Sequence, residues 1–286
     1  MDIICLCHLR WDFVFQRPQH LLSRFAKNNR VYFIEEPIFG APVTRLAAES
    51  RMDGTIVVLT CHIGENAPPI EHQSIQEDLL NDFISEAKVS DFILWYYTPM
   101  AMELAGALPE PALIVYDCMD ELSAFRFAPP DIQERELHLL AVADLVFTGG
   151  HSLYEAKKHL HGNIHFFPSS IDKAHFGKAR TAEPPANYAM IGKPRIGFFG
   201  VIDERFDVDL ISALAASRPD WHFIIIGPVV KIDASILPRA SNLHYPGSQP
   251  YEVLPSHLSG WDVALIPFAI NESTAFISPT KTPEYL

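Results

Sequence analysis

The sequence has little cysteine, no long hydrophobic run and no excess of positive charge, and each absence excludes a class of protein. Its four cysteines, Cys5, Cys7, Cys61 and Cys118, match neither a zinc site nor a disulfide framework, so reduced and largely buried thiols are expected. The longest apolar runs, such as 223–226, have strand length and fall far short of the ~20 residues that span a bilayer. The net charge of −13 argues against a broad nucleic-acid surface, which needs a basic face.

The N-terminus shows no signal peptide, because residues 1–7 run directly into a strand pattern without a basic segment. The sequence therefore predicts a cytoplasmic protein. Five basic residues lie close together near the N-terminus, namely Arg10, Arg17, Arg24, Lys27 and Arg30. Solvated charge on a helix explains them, and the alternative is peripheral association at the inner face of a membrane. The 13 histidines are scattered, and no metal site is predicted.

Short apolar runs alternate with segments of helical length, which indicates an α/β fold with parallel sheets covered on both faces. At 286 residues and 48% hydrophobic content, the chain is long enough for two packed domains. Predicted strands of the first domain are 3–7, 31–34, 55–60, 92–96, 113–116, 145–148 and 164–167. Predicted helices between them are 18–27, 74–87, 101–107, 131–141 and 152–160.

A segment without apolar periodicity, residues 178–194, reads as a linker between domains 1–177 and 195–286. After it the alternation restarts, with strands at 195–199, 223–226, 243–245 and 263–267 and helices at 207–216 and 251–258. Two Rossmann-like domains of this kind would face a ligand cleft at the carboxyl ends of their strands. Four strands and a helix start are too few for a complete second domain, so a truncated C-terminus is expected.

The loop after the first strand, residues 8–20, combines aromatic, arginine and amide side chains. Such a mixture suits a sugar ring or an apolar acceptor tail, which makes Arg10, Trp11, Gln16 and Arg17 candidate acceptor contacts. The alternative is a loop that packs its aromatic side chains on the domain.

Three acids, Asp117, Asp120 and Glu121, follow another strand at its carboxyl end. Crowded carboxylates repel, so one of them is expected to have a raised pKa and to serve as a base, with Asp120 as the preferred catalytic residue. The alternative is that Asp117 or Asp120 caps a turn.

A glycine turn after the strand at 195–199 offers Gly200 for a close backbone approach to a ligand and Arg205 for a phosphate. The alternative is a glycine that only permits tight packing between strand and helix. The dinucleotide fingerprint, the P-loop and the Gly-x-Ser-x-Gly elbow are all missing from the sequence, which disfavours dehydrogenases, P-loop enzymes and serine hydrolases. Near the C-terminus, Lys281 and Glu284 at a predicted helix start can hold an anion and a sugar diol.

Taken in order, these segments resemble bacterial glycosyltransferases of the GT-B fold, in the family-four-like group that builds teichuronic acids and exopolysaccharides. The segments that carry the resemblance are 11–22, 116–121, 167–172, 196–205, 266–268 and 278–286. The resemblance implies two facing Rossmann-like domains, with the acceptor bound by the first and a nucleotide sugar by the second. It also implies retention of anomeric configuration without an obligatory metal, since basic groups neutralise the diphosphate.

The resemblance also assigns donor contacts by position. It implies that Arg205 and Lys281 hold the diphosphate, and that Glu284 contacts the ribose. Asn271 and the loop with Ser278 and Thr280 would lie near the donor sugar or the phosphates. Phe276 departs from the family, which often has a second glutamate there, with Glu272 as a displaced candidate.

The sequence thus predicts a cytoplasmic hexosyltransferase of surface polysaccharide biosynthesis that uses a nucleotide-sugar donor and a saccharide or lipid-linked acceptor. It predicts no nucleic-acid partner and no cofactor. Two alternatives stay open at this point. One is a catalytically silent protein of the same fold that binds a partner enzyme or a glycan, and the other is a nucleotide-sugar epimerase.

Overall fold

The computed structural model describes residues 1–106 and 108–286, apart from the side chain of Ser273. The chain divides into two compact units, Met1–Ser169 and Ser170–Leu286. The division lies earlier than the predicted linker, and each unit has its own sheet and core. In the described part of the chain, no helix combines the length and the apolar character needed to cross a bilayer.

The first unit is built on a mainly parallel sheet. Its strands are β1 (Asp2–Leu6), β2 (Val31–Ile34), β3 (Ile38–Ala41), β4 (Arg45–Arg51), β5 (Ile56–Gly64), β6 (Phe92–Tyr96), β7 (Leu113–Cys118), β8 (Leu145–Thr148) and β9 (Ile164–Phe166). Neighbouring strands follow the order β5-β2-β1-β6-β7-β8-β9. β3 pairs with β5 in parallel, and β4 pairs with it antiparallel.

The central strands are buried on both faces, as their continuous apolar sequences require. β1 and β2 are buried along their whole length. The helices around the sheet are α1 (Arg17–Phe25), α2 (His72–Glu86), α3 (Met102–Ala105), α4 (Ile132–Val142) and α5 (His151–Lys157). The predicted helix at 101–107 ends on Ala107, which lies outside the described residues.

The second unit holds a smaller parallel sheet in the order β12-β11-β10-β13. Its strands are β10 (Arg195–Phe199), β11 (His222–Ile226), β12 (Leu243–Gly247) and β13 (Val263–Ala264). The helices are α6 (Lys173–Phe176), α7 (Val208–Ser217), α8 (Leu254–Ser259), α9 (Glu272–Ala275) and α10 (Lys281–Tyr285). The core contains Phe198, Ile211, Phe223 and Ile225, all at most 1% exposed.

The segment predicted as a linker is part of the second unit. Tyr188, at its centre, is 1% exposed and belongs to a core cluster with Phe199 and Ile224. Its hydroxyl lies 2.8 Å from Nδ1 of His257 and accepts a hydrogen bond from Nε1 of Trp261 at 3.2 Å. Periodicity could not reveal this packing, because the segment is mostly turns and depends on single aromatic anchors.

All four cysteines are buried and free of disulfides, as expected. Burial raises the pKa of Cys61 to about 11 and that of Cys7 to about 12. Both side chains are therefore protonated thiols at neutral pH, which makes them poor nucleophiles.

Candidate functional site

The carboxyl edge of the second sheet carries two glycines that no other residue could replace without strain. Gly200 follows β10 with φ +149°, and Gly227 follows β11 with φ +146°. A Cβ at Gly227 would lie 1.8 Å from the carbonyl oxygen of Gly200. These backbones therefore approach each other more closely than any side chain allows.

Lys281 lies directly over Gly200. A Cβ at Gly200 would be 2.2 Å from Cε of Lys281 and 2.8 Å from its Nζ. The Lys281 ammonium also lies 5.7 Å from the ring centroids of both Phe198 and Phe268. The bare glycine thus leaves the space that this cation occupies at the strand end.

Arg205 approaches the same ring from its own loop, with its guanidinium carbon 6.0 Å from the centroid of Phe268. Asp203 is 3% exposed, and its two carboxylate oxygens accept hydrogen bonds from Nε of Arg205 at 2.9 Å and 3.0 Å. The same carboxylate accepts the backbone N–H of Arg205 at 3.0 Å. Phe268 is therefore flanked by two cations. The structure brings together the three predicted donor residues Gly200, Arg205 and Lys281.

The other predicted donor residues lie on the two short helices that follow. Asn271 precedes α9, and its side chain accepts the backbone N–H of Thr274 at 3.2 Å, so it caps that helix. Thr280 precedes α10, and its carbonyl accepts the N–H of Glu284 at 3.3 Å. Ser278 is exposed. Phe276, at the position that departs from the family, is half-buried at the end of α9.

Glu284 is 8% exposed, and burial raises its pKa from 4.5 to about 7, while Lys281 opposes the shift. It lines a cavity of about 410 Å³ with Trp261 and Arg180. The lining of that cavity includes none of Gly200, Arg205 and Lys281. Glu284 thus lines this cavity on the same short helix as Lys281, and its contact with a ribose stays a prediction.

The buried Glu284 carboxyl predicts a pH-dependent stability. Its folded-state pKa lies above its unfolded value, so its contribution is complete below about pH 4.5 and is lost as the pH rises through 7. Glu284→Gln should therefore leave the free energy of unfolding unchanged near pH 4 and increase it by about 2–3 kcal/mol near pH 8.5. Urea unfolding at both pH values measures this difference. An equal effect at both values would contradict the assignment.

In the first unit, Arg17 is 4% exposed and Asp117 is fully buried. Arg17 donates Nε and Nη2 to the Asp117 carboxylate at 2.7–3.0 Å and Nη1 to the Phe167 carbonyl at 2.7 Å. Burial raises the pKa of Asp117, and the Arg17 guanidinium opposes that shift. The raised pKa expected among the three acids thus occurs at Asp117, and its cause is burial, whereas repulsion between carboxylates had been predicted.

Trp11 also lies in the core, 8% exposed, with its ring 5.0 Å from that of Phe33. Its backbone N–H donates to Glu35 at 2.6 Å, and its carbonyl accepts Nε2 of Gln19 at 2.8 Å. Trp11 and Arg17 thus pack within the first unit, and their contact with an acceptor stays a prediction. The alternative, a loop that packs its aromatic side chains on the domain, holds for Trp11, whereas Phe13 and Phe15 are 42% and 37% exposed.

The two other predicted acceptor residues are more accessible. Gln16 precedes α1, and its backbone N–H donates to Oε1 of Gln19 at 3.1 Å. Arg10, with 37% of its side chain exposed, donates to Glu35 at 3.0 Å and to the Glu36 carbonyl at 2.6 Å. Arg10 therefore fixes the loop that follows β2.

Asp120 is half-buried just beyond β7. Burial lowers the pKa of Arg17, but Asp117 and, less strongly, Asp120 raise it above its usual value. Its neighbour Glu121 is paired with the buried Lys157 at 2.8 Å, and Lys157 also binds Glu136 at 2.6 Å. Of the three acids, Asp117 and Glu121 therefore have basic partners within the unit. The catalytic role of Asp120 stays a prediction.

The sequence reasoning missed a cavity of about 370 Å³ at the carboxyl ends of β1, β2 and β6. Its lining includes Glu35, Glu36, Phe39, Gln76 and Thr98. Glu35 and Glu36 come immediately after the buried strand at Val31–Ile34, and that position was the signal available in the sequence. Within the described residues, no group of three or more His, Cys, Asp or Glu side chains is placed to hold a metal ion.

Comparison with known proteins gives a sequence relative and several structural neighbours. The chain matches no protein-family model. It is 25% identical over 211 residues to the Bacillus subtilis protein TuaH, which carries a provisional name as a teichuronic acid biosynthesis glycosyltransferase. The match covers 68% of this chain and 52% of TuaH, so the chain spans about half the length of that relative. The resemblance found in the sequence is thereby confirmed.

Two solved structures share the fold over most of the chain. The Escherichia coli trehalose-6-phosphate structure bound with UDP-2-fluoro glucose superimposes with a TM-score of 0.63 at 13% identity, covering 97% of this chain and 82% of that one. Sucrose-phosphate synthase from Thermosynechococcus elongatus gives a TM-score of 0.61 at 11% identity, covering 94% and 77%. The predicted α/β fold with two Rossmann-like units of the GT-B type is confirmed.

Proposed function

We propose that this chain is a glycosyltransferase that moves a sugar from a nucleotide-diphosphate sugar to a saccharide or lipid-linked acceptor. The observation that carries the proposal is the meeting of Gly200, Arg205 and Lys281 at the carboxyl edge of the second sheet. Two cations at this strand end suit a diphosphate, because they would neutralise its negative charge. The neighbour bound with UDP-2-fluoro glucose supports a donor of this kind.

In the proposed reaction, a bond forms between an acceptor hydroxyl oxygen and the anomeric carbon of the donor. The bond from that carbon to the diphosphate oxygen breaks, and the diphosphate leaves with the electron pair. Arg205 and Lys281 stabilise the charge that develops on the leaving group, without a metal. Asp120 accepts the proton of the acceptor hydroxyl, and the anomeric configuration is retained.

We place the reaction in the cytoplasm and in surface polysaccharide biosynthesis. The name of TuaH supports that pathway. A lipid-linked acceptor would bring the protein to the inner face of the membrane. A saccharide acceptor would not require that location.

Thermal unfolding with UDP, GDP, ADP, CDP or dTDP tests the donor site. One nucleotide should stabilise the protein selectively, by about 2.7 kcal/mol at a hundred times its dissociation constant. The shift should persist in EDTA, since no metal is required. The absence of a shift with all five nucleotides would remove the proposal.

The second candidate, a catalytically silent protein of the same fold, rests on Phe276 at the position where the family often has a glutamate. Release of free nucleotide from a sugar donor in the presence of an acceptor would eliminate it. Conversion of the donor without any acceptor would instead favour the epimerase.

A further inference from the structure

We infer that the cavity at the carboxyl ends of β1, β2 and β6 is the acceptor site, and that it selects uncharged or amine-bearing saccharides over anionic ones. This inference rests on the proposed function, because it names the acceptor class for that reaction. It differs from the sequence prediction, which placed the acceptor on the loop at 8–20.

The cavity has the size and position of a small-ligand site. Its volume of about 370 Å³ lies within the ~300–1,000 Å³ typical of such pockets. It opens beyond the ends of three adjacent parallel strands, and ligands of open α/β sheets bind beyond strand ends of this kind.

Two buried polar side chains in its wall have hydrogen-bonding capacity to spare. Gln76 is 9% exposed and donates Nε2 to the His72 carbonyl at 3.1 Å, which leaves its side-chain oxygen without a partner among the described residues. Thr98 is 4% exposed, and its Oγ1 accepts the N–H of Met100 at 3.2 Å, which leaves the hydroxyl proton to donate. The Gln76 oxygen can accept a hydrogen bond and the Thr98 hydroxyl can donate one. Together they match a hydroxyl group of the ligand, which both donates and accepts hydrogen bonds.

The charges of the wall decide which saccharides fit. Glu35, Glu36 and Glu103 line the cavity, and none of its lining residues in the described chain is a lysine, an arginine or a histidine. Arg10 pairs with Glu35 at 3.0 Å, and Arg135 pairs with Glu103 at 2.7 Å, so two of the three carboxylates are partly neutralised. A uronate or a sugar phosphate would therefore meet net negative charge, whereas an amino group would be attracted.

Phe39 completes the wall with an aromatic face. It is 55% exposed and is stacked on His72 with ring centroids 4.8 Å apart. The apolar side chains of Met100 and Leu104 also line the cavity. A pyranose ring has an apolar face for such a surface and hydroxyl groups for Gln76 and Thr98.

Ligand-observed NMR titration of the whole chain tests the inference with four probes. These are methyl glucoside, methyl glucosaminide, methyl glucuronide and glucose 6-phosphate. The first two should bind at least about 10-fold more tightly than the last two, because only the latter carry negative charge. Equal or tighter binding of the anionic probes, or no saturable binding of any probe, would overturn the inference.

Variants locate the binding. Thr98→Val should weaken methyl glucoside binding about 10-fold by removing one hydrogen-bond donor. Thr55→Val, at the exposed residue just before β5 and at the opposite end of the strands, is the matched control and should bind as the wild type does. Glu36→Gln should reduce the preference for glucoside over glucuronide at least about 3-fold, and this ratio does not depend on how much protein is folded. An unchanged ratio would exclude this cavity.

These outcomes are separate from those of the proposed function. Probe binding in the cavity without any nucleotide shift would keep the saccharide site and remove the transferase. A nucleotide shift with preferential use of an anionic acceptor would keep the transferase and remove the inference.

Discussion

Arg17→Met should lower the free energy of unfolding by about 3–5 kcal/mol, since it leaves the fully buried Asp117 carboxylate without its partner. It also removes the hydrogen bond from Nη1 to the Phe167 carbonyl at 2.7 Å. Urea unfolding near neutral pH, followed by circular dichroism, measures the loss. A loss below about 1 kcal/mol would show that the pair contributes little.

The double variant Arg17→Met with Asp117→Leu is the matched control. Replacing both partners by apolar side chains leaves no charge buried alone, so much of the lost stability should return. A double variant as unstable as Arg17→Met would locate the loss in packing instead. Arg24→Met, at an exposed position on the same helix, should change stability by less than about 1 kcal/mol.

Lys281→Ala should slow the proposed sugar transfer by about 100-fold or more, the cost of losing one group that stabilises a developing oxyanion. The Lys281 ammonium and the Arg205 guanidinium both lie near the Phe268 ring, so removal of Lys281 leaves one of the two cations. Initial rates of nucleotide release with a sugar donor measure the effect. Arg205→Ala should also lower the rate strongly.

The control for this prediction is Lys178→Ala, since Lys178 is an exposed lysine of the same unit. It should transfer sugar at the wild-type rate. Lys281→Arg should recover part of the activity, because it restores the charge with a larger side chain. Full activity in both Lys281→Ala and Arg205→Ala would remove their assignment to the diphosphate.

The fold could be predicted where burial makes a strand continuously apolar. The strands at Val31–Ile34, Phe92–Tyr96 and Leu145–Thr148 were predicted with the bounds that the structure shows. β3 was missed because it is short, mostly exposed and interrupted by Gly40, and β4 because it is mostly exposed and carries no apolar run. Both strands form because they pair with β5, and a short stretch of sequence does not show which strand it will pair with.

The site was harder to predict, because its geometry depends on pairs that are distant in sequence. Arg17 and Asp117 are 100 positions apart, so the chain alone could not show that each neutralises the other. The burial of Trp11 could not be predicted for the same reason, since it depends on Phe33 of β2. Gly200 and Lys281 were each singled out from their own motifs, and the contact between them was not predicted.

β4 has a consequence for how copies of this protein behave when crowded. A mainly parallel sheet that ended at β5 would present a nine-residue strand with unpaired backbone groups, a ready template for another chain. β4 covers that strand and is itself rich in charge, with Arg45, Glu49 and Arg51 among its seven residues. A chain adding to this edge would have to strip water from those charges. The opposite edge, β9, has three residues and offers little length for pairing. The charged side chains of β4 and the short length of β9 thus both oppose the addition of another chain to an edge of the sheet.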